Sequence, residues 1–360
     1  MSDYEVLTSK DTPKWTDYLS LLPIEQQDVY FTPEYYSLYE ANGDGSARCF
    51  VFKKDGDIAL YPFLLNRIND LGYDLDDEYY DIQSAYGYGG CVSSSVSKGM
   101  LLRFDEALTE YLTKQKVVTE FIRFHPLVNS MSLFSNRLGA ILDRKVVTLN
   151  LNQLFDTIWQ NAFSSNHRNK YRKSIKEGFY SHFIDAPCEV DALQFITLYK
   201  STMKRVSADS YYYFSDSFIK QAILGMGGMS KLLMGYDLIR GVSSAMIVLD
   251  NGVYGHSFLS CTSDSSASYE KNHLYNEVVR DLSKTSTKCY NFGGGRTNKE
   301  DDSLLKFKMN FSRDTSGFYI GKKIHNERVY DQIKNQWKRK HSQSAVKYGH
   351  MLQGYRKLDA

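Results

Sequence analysis

One glycine-rich segment in the first half of the chain has the residue types of a substrate loop. Residues 84–90 read Ser-Ala-Tyr-Gly-Tyr-Gly-Gly. Glycines let a backbone approach a ligand closely or adopt positive φ, and a phenol offers an apolar ring with a polar tip. The segment therefore predicts substrate contacts from Tyr86, Tyr88, Gly89 and Gly90. The alternative is a bulge or turn at the end of a strand.

A basic segment in the middle of the chain could bind a phosphate or an RNA backbone. Residues 168–176 contain five Lys or Arg, and such a concentration of cations attracts polyanions. Arg168 and Arg172 stand four residues apart, so a helix would present them on one face. Both are predicted to contact substrate. The alternative is a solvated helix face that ends at Gly178.

A second glycine-rich segment follows a predicted strand and precedes a predicted helix. Residues 290–296 read Tyr-Asn-Phe-Gly-Gly-Gly-Arg, and the helix is predicted over residues 304–311. In that position Gly293 and Gly294 can expose backbone amides to an anion. The spacing of the glycines is not that of a nucleotide phosphate loop. The alternative is an irregular connection.

The familiar motifs of covalent and metal catalysis do not occur in this sequence. There is no G-x-S-x-G, no H-E-x-x-H and no C-x-x-C, so neither a serine nucleophile elbow nor a zinc site is indicated. The five cysteines are scattered, which favours reduced thiols over a disulfide framework. We therefore predict no metal ion and no bound cofactor.

Composition excludes several classes of protein. The chain has 360 residues, of which 42% are hydrophobic and 24% charged, which is ordinary for a globular protein of two domains. A net charge of +2 argues against a protein that coats polyanions over its whole surface. No secretory signal and no apolar run of membrane-spanning length is visible. The expected location is therefore cytoplasmic, with no integral membrane segment.

The predicted elements follow the same order in both halves. A strand over 47–52, an Asp-Gly turn and a strand over 58–65 form a predicted hairpin, followed by a helix over 97–114 and a strand over 119–124. The second half repeats a hairpin, a helix and a strand. This pattern predicts a mixed α/β (α+β) fold of two lobes. The predicted domains are 1–155 and 156–360, the second including a basic helix over 326–341.

The order of several short motifs resembles that of the FemABX family of peptidyltransferases and of its relatives in the GNAT superfamily. Each motif alone has little specificity, and the specific feature is their order. The resemblance covers roughly residues 15–325. The motifs lie at residues 31–35, 61–63, 86–90, 123–126, 168–178, 199–205, 293–294 and 307–308.

This resemblance implies two tandem GNAT-like lobes with a cleft between them. It also implies a transferase of cell-wall or polysaccharide biosynthesis, which joins an amino acid from aminoacyl-tRNA, or an acyl group, to an amine of a cell-envelope precursor. The family's Phe-Lys pair maps onto Phe307 and Lys308, where Lys308 would neutralise an oxyanion or a phosphate. Arg205, Tyr211 and Tyr212 map more loosely onto acceptor contacts.

Two other functions remain open at the level of sequence. The first is a CoA-dependent N-acyltransferase acting on a nucleotide-linked amino sugar, with acyl-CoA as the donor. Such enzymes carry glycines at the start of a helix that wraps the pyrophosphate, whereas residues 265–270 read Ser-Ser-Ala-Ser-Tyr-Glu. The second is a non-enzymatic RNA- or glycan-binding module that uses the basic segments. The sequence does not assign an oligomeric state.

Overall fold

The computed structural model describes residues 3–128 and 137–359, and the chain divides into two compact units. Unit 1 comprises Met1–Asp143 and Phe318–Ala360, and unit 2 comprises Arg144–Gly317. The strands are β1 (Tyr4–Thr8), β2 (Ser46–Lys54), β3 (Asp57–Arg67), β4 (Tyr80–Gln83), β5 (Val92–Ser93), β6 (Val117–Arg123), β7 (Ile141–Asn150), β8 (Tyr180–Phe183), β9 (Ser230–Asp237), β10 (Gly241–Asp250), β11 (Tyr254–Thr262), β12 (Cys289–Gly294) and β13 (Thr315–Ile324).

The α-helices of the described residues are α1 (Thr12–Ser20), α2 (Pro33–Ala41), α3 (Lys98–Lys114), α4 (Phe155–Asn161), α5 (Ser165–Lys176), α6 (Glu189–Arg205), α7 (Asp216–Leu224), α8 (Glu270–Leu282), α9 (Ser303–Lys308), α10 (Glu327–Lys340) and α11 (Ser342–Tyr348). Within residues 3–128 and 137–359, no helix combines the length and the apolar character that crossing a bilayer requires.

The sheet of unit 1 runs in the order β1-β2-β3-β4-β6-β13, with β5 added to β3. The first four strands form an antiparallel meander, β4 and β6 are parallel, and β13 is antiparallel to β6. The predicted hairpin is confirmed, because Lys54 pairs with Asp57 across a two-residue turn. Asp55 and Gly56 both have positive φ there, of 53° and 89°, as the tight turn of a twisted hairpin demands.

The sheet of unit 2 runs in the order β7-β12-β11-β10-β9-β8. Strands β8 to β11 form an antiparallel meander, β11 and β12 are parallel, and β7 is antiparallel to β12. The crossover between the two parallel strands is α8, whose Leu274, Val278 and Leu282 are fully buried at intervals of four residues. That spacing places them on one helical face, which packs on the sheet.

Each unit therefore has the same plan, which is a four-stranded meander, a crossover helix, a parallel strand and a final antiparallel strand. In unit 1 the crossover helix is α3, and in unit 2 it is α8. The predicted mixed α/β class and the predicted repeat are confirmed. The final strand of each unit is contributed from the other half of the chain, since β13 pairs with β6 and β7 pairs with β12.

The basic C-terminal helix lies in a different unit from the one the sequence indicated. It forms over α10, close to the predicted bounds, but it belongs to unit 1 rather than to the second lobe. Val329, Ile333 and Trp337 are fully buried along one face of α10 and pack with Val118 of β6 in the same apolar cluster. The apolar face of the helix, and not its position in the chain, decides where it packs.

Candidate active site

The glycine segment of unit 2 leaves the sheet through a bulge at the end of β12. The pairing of β12 with β7 shifts register between Asn291 and Gly293, and the Gly293 N–H donates to Asn291 Oδ1 at 2.8 Å. Gly293 has a φ of +78°, and a Cβ atom there would lie 2.9 Å from Lys308 Nζ. The positive φ favours glycine at this position, and an added Cβ would require the Lys308 amine to shift.

Asp302 joins the glycine segment to the start of α9. Its Oδ1 accepts hydrogen bonds from the N–H groups of Leu304 and Leu305 at 2.9 and 3.0 Å, which caps the helix. Its Oδ2 accepts from the N–H groups of Arg296 and Thr297 at 3.1 and 3.0 Å. These hydrogen bonds from the backbone hold the pKa of Asp302 well below its usual range. The cap thereby fixes the direction in which α9 presents its last turn.

The last turn of α9 directs Lys308 onto the glycine segment. The side chain is buried, with 9% of the residue exposed, and Nζ donates to Gly294 O at 2.8 Å. Burial lowers the pKa of Lys308 to about 7; the charges of Lys271 and Arg144 act in the same direction, and Asp302 opposes them. This amine therefore loses its proton more readily than an exposed lysine does. The preceding lysine, Lys306, is exposed on another face.

Phe307 faces a different environment from Lys308. Its half-buried ring contacts Tyr275 and Phe311, with ring centroids 5.9 and 5.3 Å away. The structure thus brings Gly293, Gly294 and Lys308 together and places Phe307 in the adjoining aromatic cluster. The roles of all four in substrate binding or catalysis stay predictions.

Further cations surround the glycine segment, and the sequence did not indicate them. Arg144 donates to the carbonyl oxygens of Gly295 and Arg296 at 3.0 and 3.2 Å. Burial lowers the pKa of Lys271 on α8, to which the charges of Arg205 and Arg296 contribute. Neither Arg144 nor Lys271 belongs to a motif, because only the fold carries β7 and α8 to this place. The segment is therefore more electropositive than its own sequence indicates.

Arg205 is the last residue of α6, and its guanidinium bonds to the end of β11. It donates to Thr262 O at 3.0 Å and Thr262 Oγ1 at 2.7 Å, and it pairs with Asp264 at 2.7 Å. Tyr211 and Tyr212 follow the helix, with their ring centroids 5.8 Å apart, and Tyr212 O accepts a hydrogen bond from Tyr199. Their predicted contacts with the acceptor stay predictions.

Arg168 and Arg172 lie on α5, away from these hydrogen bonds, and they differ from each other. Arg168 donates to the carbonyl oxygens of Trp159 and Gln160 at 3.1 and 3.4 Å, and also to Phe163 O. It therefore caps the C-terminal end of α4 and joins it to α5, which is a structural role. Arg172 is exposed, and it donates to Asn169 at 3.3 Å.

The glycine segment of unit 1 lies beside aromatic rings. Tyr86 O accepts a hydrogen bond from Tyr35 at 2.5 Å. The ring of the half-buried Tyr88 contacts those of Tyr30 and His125, with centroids 4.9 and 5.4 Å away. The backbone bends at Tyr86 and Gly87, and the predicted substrate contacts of Tyr86 and Tyr88 stay predictions.

Gly89 and Gly90 are buried in the same segment. Gly89 O accepts from the His125 N–H at 3.0 Å, and the segment forms an isolated parallel bridge from Gly89 to Phe124. This bridge continues the direction of the parallel pair β4 and β6. Gly89 therefore has a structural role in this segment, and the predicted substrate contacts of Gly89 and Gly90 stay predictions.

Comparison with known proteins gives a fold but no sequence family. No family model and no curated protein matches the chain. Among solved structures, FemX superposes with a TM-score of 0.67 at 14% identity, over 91% of this chain and 98% of FemX. The structure of L-PGS from Bacillus licheniformis gives a TM-score of 0.56 at 13% identity, over 88% and 92% of the two chains.

A third similar structure is the C-terminal domain of a protein from Agrobacterium fabrum assigned as a lysylphosphatidylglycerol synthetase. It gives a TM-score of 0.58 at 10% identity, over 87% of this chain and 92% of that domain. Identities this low establish the fold and leave the activity to be argued from the site. The chain has a FemX-like fold, a mixed α/β architecture of two units built to the same plan, as the order of its motifs predicted.

Proposed function

We propose that this chain is an acyl- or aminoacyltransferase, which joins an amino acid or acyl group to an amine of a cell-envelope precursor. The acceptor is a peptidoglycan peptide or an amino sugar of a surface polysaccharide. The observation that carries the proposal is Lys308, a buried amine with a pKa of about 7 whose Nζ lies 2.8 Å from Gly294 O. Burial of an ionisable amine is costly, and such groups concentrate at functional sites.

The chemistry of amide formation explains what this amine would do. The acceptor nitrogen attacks the donor carbonyl carbon, the ester or thioester bond breaks, and the amine proton passes to the leaving oxygen or sulfur. Negative charge develops on the carbonyl oxygen during the attack. Lys308 donates a hydrogen bond to that oxygen, and the low-dielectric surroundings of the lysine strengthen the interaction. No covalent nucleophile is needed, because the attacking amine belongs to the acceptor.

We propose aminoacyl-tRNA as the donor. The similarity to the lysylphosphatidylglycerol synthetase domain supports an aminoacyl donor, since that name describes a lysyl ester. The five cations of α5 support an RNA-sized partner. Residues 265–270 lack the glycines that a CoA pyrophosphate loop uses, which favours tRNA over acyl-CoA.

The donor and acceptor can be identified by mass spectrometry. The purified chain is incubated with charged tRNAs or with acyl-CoAs, and with either muropeptide precursors or nucleotide-linked amino sugars. A new amide product with tRNA and a cell-envelope precursor supports the proposal. A product formed only from acyl-CoA supports the N-acyltransferase instead, and the absence of any product from every combination contradicts both.

A pair of neighbouring lysines tests the role of Lys308 directly. Lys308→Ala removes the buried donor and is expected to reduce the transfer rate by about 10²–10³, as loss of one preorganised stabilising group does. Lys306→Ala is the matched control, because Lys306 is exposed on another face of the same helix. Both variants are compared at the same folded fraction. Equal rates for the two variants and the parent would exclude Lys308 from the mechanism.

A further inference from the structure

A groove on the surface of unit 2 combines aromatic rings with guanidinium groups. It encloses about 330 Å³, a volume typical of small-ligand sites. Phe155 and Trp159 of α4 and Tyr171 of α5 supply the rings, while Arg172 of α5 and Arg280 of α8 supply the charges. None of these five residues takes part in the hydrogen bonds described around Lys308.

The guanidinium groups of this groove lie over the rings. The Arg280 Cζ atom is 4.9 Å from the ring centroid of Phe155 and 5.5 Å from that of Tyr171. The Arg172 Cζ atom is 5.6 Å from the ring centroid of Trp159. Guanidinium groups placed over aromatic rings are attracted to them. The rings and the guanidinium planes together offer flat surfaces on which a flat, electron-rich ligand can stack.

The charged residues in and beside the groove indicate which ligand charge it can accept. Helix α5 carries five Lys or Arg and no acidic residue. Two carboxylates lie nearby: Asp156 lines the groove, and Glu277 pairs with Arg280 at 3.6 Å and accepts a hydrogen bond from Tyr171 at 2.7 Å. Glu277 offsets the charge of Arg280 and leaves Arg172 as the guanidinium available to an anion, while Asp156 can accept a hydrogen bond from an amino group.

We infer that this groove binds an unpaired nucleotide of an RNA strand, with the base stacked on Trp159 and the phosphate held by Arg172. An unpaired nucleotide has the required parts, which are a flat base, an amino-bearing edge and an anionic phosphate. A blunt duplex buries its bases and offers only phosphates. The inference rests on the proposed tRNA donor. It states that α4 and α5 bind the single-stranded part of that tRNA.

The position of Trp159 is itself fixed by the basic helix. Arg168 of α5 donates to the backbone carbonyl oxygen of Trp159 and so holds this residue in place, while its own predicted contact with substrate stays a prediction. The ring packs edge-on against Phe163 and Tyr171, with centroids 6.0 and 5.5 Å away. Trp159 is therefore preorganised for stacking, which reduces the cost of ordering it on binding.

The experiment measures binding of uncharged RNA, so that it does not depend on transfer activity. The probe is a short RNA hairpin with a few unpaired nucleotides at its 3′ end, and the same hairpin with a blunt end is the comparison. The chain has three tryptophans, and Trp15 and Trp337 are fully buried. Stacking on Trp159 therefore quenches the fluorescence of the one half-buried indole. We expect quenching and tighter binding with the overhang only.

Three variants isolate the stacking and the charge. Trp159→Leu keeps an apolar side chain but removes the indole, and it should weaken overhang binding about tenfold, while Trp159→Phe retains most of the affinity. Arg172→Gln should weaken binding of the overhang more than Lys176→Gln does, because exposed Lys176 lies on the same helix outside the groove. The Arg172 variant keeps the test valid if the Trp159 variants fold poorly.

Several results would overturn the inference. These are equal affinity for overhang and blunt hairpins, unchanged overhang binding by folded Trp159→Leu and by Arg172→Gln, or binding to anionic phospholipid vesicles without binding to RNA. The proposed function is judged separately. Overhang binding without amide formation from charged tRNA would refute the tRNA-dependent transferase and leave the groove in place. Transfer from acyl-CoA without RNA binding would refute the groove and the tRNA donor and leave an acyltransferase in place.

Discussion

The low pKa of Lys308 has a measurable consequence for stability, which Lys308→Met tests. In the folded chain this amine titrates at about 7, whereas its ordinary value is 10.5. Between these two values the unfolded chain carries a proton that the folded chain lacks. Folded-state stability therefore rises with pH across this window, and below about 7 the full penalty for burying the charge is present.

The size of the effect follows from the two pKa values. Each pH unit within the window changes the free energy of unfolding by at most about 1.4 kcal/mol for one proton. Between about pH 7 and about pH 9 the wild type should gain about 2 kcal/mol relative to Lys308→Met, because methionine has no proton to lose. The side chain is 9% exposed, so screening by solvent removes little of this.

Urea unfolding at several pH values provides the assay. The free energy of unfolding is compared for the wild type, Lys308→Met and Lys306→Met, and the difference from the wild type is plotted against pH. The Lys306→Met difference should stay flat, since that side chain is exposed. A flat difference for Lys308→Met as well would show that the amine titrates at its ordinary pKa, and the electrostatic argument for the site would fail.

Two further predictions concern the glycine segment and the core of unit 1. Gly293→Ala should lower the melting temperature and the transfer rate together, because its Cβ would have to occupy space 2.9 Å from Lys308 Nζ at a φ of +78°; an alanine variant with the parent's melting temperature and rate would contradict this. Glu120 is buried against Arg137, with both carboxylate oxygens accepting at 2.8 Å. Burial alone raises the pKa of Glu120, but Arg137 and His325 lower it overall to about 2. The Glu120 carboxylate therefore stabilises the folded state fully above about pH 4.5, and this contribution is lost as the pH falls towards 2. Glu120→Gln should therefore cost about 3 kcal/mol of unfolding free energy at neutral pH and much less at about pH 3; equal costs at both pH values in urea unfolding would contradict the assignment.

Local chemistry made much of the fold predictable. The Asp-Gly pair fixed a hairpin because only a turn with positive φ at both residues joins twisted strands so tightly. Apolar residues at helical spacing predicted α3, and Ser97 marks its start, since its side chain accepts a hydrogen bond from Met100 N at 3.2 Å. The order of the motifs then predicted the FemX-like fold, although no single motif would have done so.

Partner choice over long distances was not predictable in the same way. Strand β7 pairs with β12, which lies much later in the chain, and β13 pairs with β6, which lies much earlier. Nothing in the residues of β7 or β13 indicates these partners. Helix α4 was also missed, because it is only seven residues long and its N-cap, Leu154, makes no capping hydrogen bond through its side chain. Without α4, the carbonyl partners of Arg168 could not be foreseen.

The glycine segment after β12 has a different structural role from the one that its sequence suggested. The sequence suggested that its glycines expose amides to an anion. In the structure the Gly293 N–H is already bonded to Asn291, and a side chain at Gly293 would collide with Lys308. At Gly295 a Cβ atom would lie 2.5 Å from Asp302 Oδ1. These glycines leave space for the lysine and for the carboxylate that caps its helix, while binding of an anion by the segment stays a prediction.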